Sequence, residues 1–255
     1  MPLARFRARL AAAAFALVAP LLAPLPAAAQ MQPEDRAILR SEIRSYLLEH
    51  PEIIMEVLEV LEQRRRDAEA TADRDLVARH MDRLEDDGFS FVAGNPDGDV
   101  TVVEFLDYNC GFCKRAHADV RELIETDPGL RYVVKEFPIL GPTSRLAAQA
   151  ALAATYQDDG RRYMAFNDLL MKHNGQLSER ALFSIADDAG LNVRQLRRDM
   201  ERPEIDERLA QTYQLARAMR IEGTPSFVIG GQLVRGYIPL PQLREAVAAE
   251  RARGG

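Results

Sequence analysis

The feature that most constrains this chain is a Cys-x-x-Cys pair placed where a strand ends and a helix begins. Val100 to Leu106 is rich in β-branched and aromatic residues, which is typical of a buried strand. After Cys113, apolar residues recur at the spacing of one helix face. A thiolate at a helix start meets free N–H groups and the positive end of the helix dipole. The pattern therefore predicts a reactive, low-pKa thiol at Cys110.

Cys113 lies about one helical turn further along, close enough to attack a disulfide formed on Cys110. A structural disulfide is the weaker interpretation, because so short a loop constrains little of the unfolded chain. Zinc favours four ligands, and the chain has only two cysteines and four histidines. His117 follows Cys113 by four positions, so a Cys-Cys-His site for copper or zinc stays open. We expect instead that His117 is a solvent-exposed helix residue.

Two features outside the pair also point to redox chemistry. Glu104 is an acid in the middle of the apolar strand, six residues before Cys110, where burying a lone carboxylate is costly. The alternative is an outward-facing acid on an edge strand. Far along the chain, Thr224-Pro225 leads into the apolar run Phe227–Ile229. That pattern predicts a tight turn, in which a cis bond at Pro225 is possible.

Together these residues resemble the DsbA-like branch of the thioredoxin superfamily, over roughly residues 89–249. The resemblance implies an α/β thioredoxin fold with an inserted helical subdomain, and a reaction without a cofactor or a bound metal. It implies that Cys110 is the nucleophile, that Cys113 resolves the mixed disulfide, and that Glu104 mediates proton transfer. It also implies that Thr224 and Pro225 hold the substrate beside the sulfurs.

The dipeptide between the cysteines, Gly111-Phe112, is expected to contact substrate as well. It is neither the Pro-His of DsbA nor the Gly-Pro of thioredoxin, and no histidine stands between the cysteines to stabilise the thiolate. The sequence therefore leaves open whether the pair works as an oxidase, an isomerase or a reductase.

The first 29 residues have the pattern of a secretory signal. Three arginines precede an Ala/Leu-rich run from Leu10 to Leu25, and Ala27-Ala28-Ala29 fits a cleavage site after Ala29. The apolar run is short and interrupted by prolines, which argues against a membrane anchor. The chain from Gln30 would carry a formal charge of −9, against −6 for the whole sequence, so nucleic acid is not an expected partner. We expect export to an oxidising compartment, the bacterial periplasm.

Residues 30–87 are predicted to form a separate, highly charged helical extension. A helix from Glu34 to Glu49 should end at His50-Pro51, since proline disfavours helical geometry in the residue before it. A second helix then carries a wide apolar face from Ile53 to Leu61, which needs a partner chain or the main domain to cover it. The stretch Tyr46–Ile54 resembles the N-terminal region of the suppressor-of-copper-sensitivity C proteins. That resemblance implies a homo-oligomer formed through residues 33–87 that shuffles disulfides.

Residues 88–255 are predicted to form the catalytic domain. Strands are expected at about 89–92 and 130–137, with a hairpin of Phe227–Ile229 and Leu233–Val234. The helical insertion should span about 143–219, with helices near 144–157, 161–171, 178–189, 193–200 and 203–219. A closing helix is expected at Leu240–Ala249, with Arg251–Gly255 frayed.

These features predict a thiol–disulfide oxidoreductase/isomerase acting on cysteine-containing secreted proteins. A membrane redox partner would recycle the pair. Two alternatives remain: a monomeric oxidase that donates disulfides, and a thiol protein that captures copper or zinc.

Overall fold

In a computed structural model, the described residues are 32–175 and 177–254. The chain divides into two compact units, Met1–Val60 and Leu61–Gly255. The secretory signal predicted at residues 1–29 lies outside the described residues. Within the described part of the chain, no helix has both the length and the apolar character needed to cross a membrane.

The described part of the first unit, residues 32–60, is helical except for the break between its two helices. Helix α1 spans Pro33–Glu49, and α2, which spans Glu52–Glu85, begins in this unit. His50 leaves the helical conformation at φ −125° and ψ 64°, because Pro51 restricts the residue before it. The predicted break between two helices is therefore confirmed. None of the residues of α1 is buried.

The second unit is built on a five-stranded sheet in the order β1-β3-β2-β4-β5. The strands are β1 Phe91–Gly94, β2 Val100–Leu106, β3 Leu130–Glu136, β4 Ser226–Ile229 and β5 Gln232–Arg235. Strand β2 lies in the centre, parallel to β3 and antiparallel to β4. A tight turn at Gly230 joins β4 to β5 with a φ of 52°, a left-handed conformation that favours glycine.

Helix α3 follows β2, five helices follow β3, and α9 closes the chain after β5. Their bounds are α3 Gly111–Thr126, α4 Pro142–Ala154, α5 Tyr163–Lys172, α6 Glu179–Asp188, α7 Val193–Met200, α8 Pro203–Ala218 and α9 Leu240–Gly254. The predicted helical insertion is thus confirmed. The predicted start of α6 is confirmed as well, since the Ser178 side chain accepts a hydrogen bond from the Ala181 N–H.

The sheet is covered on both faces. On one face, β2 and β3 pack with α3, the helical insertion and α9 in the larger core. On the other, Val103 and Phe105 pack with Val77 and Leu84 of α2 and with residues of α8. Each fully buried side chain of this kind contributes about 1.5–3 kcal/mol of transfer free energy. Because β2 is central and covered on both faces, any polar side chain along it must find its partners inside the protein.

The expectation that residues 251–255 are frayed is wrong for the part that is described. Helix α9 continues to Gly254. The Arg251 guanidinium binds Asp99 at 2.7 and 2.8 Å and Asp127 at 3.0 and 3.1 Å. These two carboxylates come from distant loops and hold the last turns of the helix in place.

Candidate active site at the start of α3

The turn that presents Cys110 is fixed by a buried aspartate. Asp107 follows β2 directly, and its carboxylate accepts hydrogen bonds from the Asn109 N–H at 2.8 Å, the Ser144 hydroxyl at 2.7 Å and the Leu140 N–H at 2.9 Å. The Cys110 N–H in turn donates to the Asp107 carbonyl at 3.0 Å. These hydrogen bonds therefore hold the end of β2, the active-site turn and the helical insertion together next to Cys110.

Cys110 is the residue immediately before α3, as the sequence predicts, and it is 7% exposed. Its sulfur lies 3.1 Å from the Thr224 carbonyl oxygen, to which the protonated thiol donates a hydrogen bond. The pKa of Cys110 is lowered to about 5, chiefly because the Cys113 side chain donates a hydrogen bond to the thiolate. Burial opposes this shift, while the Thr224 side chain and the N–H groups of Cys113 and Phe112 add to it. Near neutral pH the sulfur is therefore a thiolate, the form that attacks disulfides.

Cys113 has the opposite character. It is fully buried, and its pKa is raised far above the usual range, first by its hydrogen bond to Cys110, then by burial and by the charge of Glu104. The two cysteines are not joined by a disulfide. The pair therefore consists of an ionised outer sulfur and a protonated inner one, which suits an attacking and a resolving thiol respectively.

Glu104 is buried in the central strand at 3% exposure, so the alternative of an outward-facing acid is wrong. Its carboxyl group accepts a hydrogen bond from the Tyr132 hydroxyl on β3. Burial raises the pKa of Glu104 to about 7; the Tyr132 hydrogen bond opposes this shift and the Cys110 charge adds to it. A carboxyl group with a pKa near neutrality can both take up and release a proton at physiological pH.

The Thr224-Pro225 peptide bond is cis, as the sequence allows. The turn places the Thr224 carbonyl against the Cys110 sulfur and borders a groove of about 370 Å³. Gly223 and Ser226 line the groove beside the proline, together with the charged residues Arg220, Glu222 and Arg235. The link between this groove and Cys110 is the Thr224 residue, which lines the groove and whose carbonyl oxygen lies 3.1 Å from the Cys110 sulfur.

Phe112 lies in the first turn of α3, two residues after Cys110. It is 56% exposed, and the Arg115 guanidinium lies 5.5 Å from the centre of its ring. Gly111 is exposed too and opens α3. The dipeptide between the cysteines therefore offers an apolar surface to any chain that reaches Cys110.

The expectation that His117 is solvent-exposed is wrong. It is 8% exposed, and its Nε2 lies 2.6 Å from an Asp168 carboxylate oxygen on α5, which packs against α3. Burial lowers the pKa of this histidine, and Asp168 opposes the shift. The third ligand of a Cys-Cys-His metal site is thus bonded elsewhere. Across residues 32–175 and 177–254, no group of three or more His, Cys, Asp or Glu side chains converges as a metal site would require.

The polar side chains that support these groups are not predicted by the sequence. Asp107, Tyr108, Tyr132 and Glu136 are all buried around the active-site turn. One signal was present, since Glu136 is a second acid inside an apolar strand, as Glu104 is. Its partners come from distant parts of the chain, and their proximity depends on the tertiary fold.

The fold and the paired cysteines define a thioredoxin-fold protein with a Cys-x-x-Cys pair at the start of a helix. The DSBA-like thioredoxin domain matches residues 101–248, and the copper resistance protein ScsC N-terminal domain matches residues 35–68. The first match covers more than half of the chain, which therefore belongs to the DSBA-like thioredoxin domain family, a family of thiol–disulfide oxidoreductases.

Several solved structures are similar to this chain. A thioredoxin-like oxidoreductase from Silicibacter pomeroyi is 47% identical, with a TM-score of 0.64, covering 68% of this chain and 98% of that one. The thiol-disulfide exchange protein alpha-DsbA2 from Wolbachia pipientis is 28% identical, with a TM-score of 0.68, covering 71% and 97%. Proteus mirabilis ScsC, in a transitional conformation, is 25% identical, with a TM-score of 0.65, covering 88% and 100%.

Curated relatives of this chain include much longer proteins that are named Na⁺/H⁺ antiporters. The chain is 31% identical over 160 residues to antiporter NhaA 1 of Salinispora arenicola and spans 24% of its length.

Proposed function

We propose that this protein is a periplasmic thiol–disulfide oxidoreductase with isomerase activity on secreted proteins that contain cysteines. The observation that carries the proposal is the asymmetry of the pair: Cys110 with a pKa of about 5 and Cys113 held protonated behind it. An attacking thiolate and a reserve thiol are what reversible exchange needs.

In the proposed reaction, the Cys110 thiolate attacks one sulfur of a substrate disulfide. The substrate S–S bond breaks, a mixed disulfide forms, and the other substrate sulfur leaves as a thiolate. Cys113 then loses its proton to Glu104 and attacks the Cys110 sulfur. The Cys110–Cys113 disulfide forms as the mixed disulfide breaks, and the second substrate sulfur leaves as a thiolate. The substrate thus gains two electrons, and it becomes a dithiol by taking one proton from Glu104 and one from solvent. The reverse sequence oxidises a substrate dithiol.

The groove beside the cis-proline turn supports the proposed substrate contacts. Thr224 and Pro225 would hold an extended segment of substrate next to Cys110, and Gly111 and Phe112 would contact it from the start of α3. The signal pattern of residues 1–29 supports export with cleavage after Ala29. In that compartment a membrane redox partner would reset the pair, because disulfide chemistry needs a terminal electron donor or acceptor.

Assembly through the helical extension, residues 30–87, is part of this proposal. Ten large apolar side chains of the first unit are between 46% and 69% exposed: Ile38, Leu39, Ile43, Tyr46, Leu48, Ile54, Met55, Val57, Leu58 and Val60. Exposed apolar surface on this scale marks a contact surface for another protein. The ScsC N-terminal match at residues 35–68 falls on the same segment, which favours a second copy of this chain as the partner.

Linked active sites would explain isomerase activity. An isomerase must keep a misfolded substrate while one disulfide opens and another forms. Several Cys110 sites in one assembly raise the effective concentration for recapture of the released substrate thiol.

We predict that Leu58→Glu dissociates the assembly of the chain that begins at Gln30. In the proposed assembly the new carboxylate at position 58 would be buried between subunits, and its burial would oppose association. Gln63→Glu adds the same charge to the same helix outside the apolar face, at an exposed position, and serves as the matched control. Light scattering at micromolar concentration should give an oligomeric mass for the wild type and the control, and a monomeric mass for Leu58→Glu. Repair of scrambled disulfides should fall in Leu58→Glu, while dithiol oxidation persists.

A monomeric mass for the wild type would contradict the oligomeric isomerase and leave a second candidate, a monomeric disulfide donor. The low pKa of Cys110 favours that candidate specifically. A stabilised thiolate stabilises the reduced pair, which makes the disulfide form a stronger oxidant.

A further inference from the structure

Glu136 is a buried carboxyl group that the proposed reaction does not use. It ends β3 and is 3% exposed. Two hydroxyls donate to its Oε1, from Tyr108 at 2.7 Å and from Tyr163 at 2.6 Å. Its Oε2 is buried and has no hydrogen-bond partner among the residues that the structure describes. A carboxyl group placed this way is costly to bury, so packing alone does not account for it.

The side chains around Glu136 join the active-site turn to the helical insertion. Tyr108 lies in that turn, two residues before Cys110, and its side chain is buried. Tyr163 opens α5, and Asn167 of the same helix donates to the Tyr108 hydroxyl at 3.1 Å. The Tyr108 hydroxyl is therefore held from the sheet by Glu136 and from the insertion by α5.

We propose that Glu136 is a positioning residue for thiol–disulfide exchange, acting through the Tyr108 hydroxyl to hold the turn that presents Cys110. This inference rests on the exchange function proposed above and deepens it. The Cys110 sulfur is reactive because of short contacts to Cys113, Thr224 and the N–H groups at the start of α3. A small movement of the turn would lengthen those contacts and weaken their effect on the thiolate.

The charges that face Glu136 come from several elements. Burial raises the pKa of Glu136 to about 8; hydrogen bonds from Tyr163 and Tyr108 oppose this shift, and the charges of Asp107 and Glu104 add to it. Near neutral pH the carboxyl group is therefore mostly neutral. A glutamine has the same shape and keeps an oxygen that accepts the two tyrosine hydroxyls, so Glu136→Gln is the conservative variant.

Two tyrosine variants separate positioning from simple support of the fold. Tyr108→Phe and Tyr163→Phe each remove one hydroxyl from the same carboxyl oxygen, but only Tyr108 belongs to the active-site turn. The measurement is the rate of alkylation of Cys110 by iodoacetamide against pH, in the chain that begins at Gln30. We expect the midpoint to rise by about half a pH unit in Tyr108→Phe, roughly a threefold change in the ionisation constant. It should stay at the wild-type value in Tyr163→Phe and in Glu136→Gln, and rise in Glu136→Leu.

An unshifted midpoint in Tyr108→Phe would overturn the inference. An equal shift in Tyr163→Phe would overturn it as well, because it would show a general loosening of the site. If Glu136→Leu does not fold, the two tyrosine variants still decide the matter. Failure of the wild-type protein to exchange disulfides would contradict the proposed function. Normal exchange by the wild type, together with an unchanged alkylation midpoint in Tyr108→Phe, would contradict only the positioning role.

Discussion

Replacing Cys110 by serine is expected to reduce disulfide exchange to the uncatalysed rate. With a pKa of about 5, Cys110 is mainly thiolate at pH 7, so this one sulfur supplies the nucleophile. Cys113, protonated and fully buried, cannot take its place. Ultraviolet absorbance of the thiolate against pH should show one titration near pH 5 in the wild type and none in Cys110→Ser.

Variants at Cys113 test the cause of the low pKa. The largest contribution to the Cys110 pKa is the hydrogen bond donated by the Cys113 side chain. Cys113→Ser keeps a hydroxyl donor, so its titration should stay near that of the wild type, whereas Cys113→Ala should titrate at clearly higher pH. Both variants lack the resolving thiol and should accumulate mixed disulfides with substrate. A low titration that survives in Cys110→Ser and disappears in Cys113→Ser would reverse the assignment of the two sulfurs.

The elements of this fold could be predicted because their signals are local. Strand β2 was expected at Val100 to Leu106 and has those bounds, since β-branched and aromatic residues fill it without interruption. The break at His50-Pro51 follows from proline geometry alone. No local pattern predicts that the cysteines lie beside the Thr224-Pro225 turn, but the family resemblance does. In the structure the Thr224 carbonyl oxygen lies 3.1 Å from the Cys110 sulfur.

What could not be predicted depends on pairs of residues far apart in sequence. His117 looks solvent-exposed until Asp168, which lies on another helix, is known to contact it. Arg251 looks like part of a loose terminus until Asp99 and Asp127 are seen to bind it. A charged side chain gives no local sign of its partner, and the partner decides whether burial is tolerated.

The second large effect is expected at Glu104, where Glu104→Gln should stabilise the fold at alkaline pH and slow exchange. The pKa of Glu104 is raised from its ordinary value of 4.5 to about 7 in the folded protein. Below pH 4.5 the group is protonated in both the folded and unfolded states and does not lower the free energy of unfolding. Between pH 4.5 and 7 the unfolded state ionises first, so the folded state loses stability as pH rises. Above pH 7 the free energy of unfolding is lowered by the full amount, about 3 kcal/mol for a pKa shift of this size.

Urea unfolding of the reduced protein at pH 4.5 and pH 8 measures this effect. Glu104→Gln should exceed the wild type by up to about 3 kcal/mol at pH 8 and by little at pH 4.5. The matched control is Glu207→Gln, which removes an exposed carboxylate on α8 and should leave the difference between the two pH values unchanged. An equal stabilisation at both pH values would show that Glu104 is not the group that titrates.

The same substitution separates stability from catalysis, because a buried acid kept only for packing would leave the rate unchanged. If Glu104 accepts the Cys113 proton, Glu104→Gln should slow release of the mixed disulfide by about 10²-fold, the lower end for proton transfer by a side chain. The first attack by Cys110 does not need that proton transfer and should keep its rate. Rapid mixing with a disulfide substrate resolves the two steps. A variant that is more stable yet releases its substrate at the wild-type rate would assign the proton from Cys113 to another acceptor.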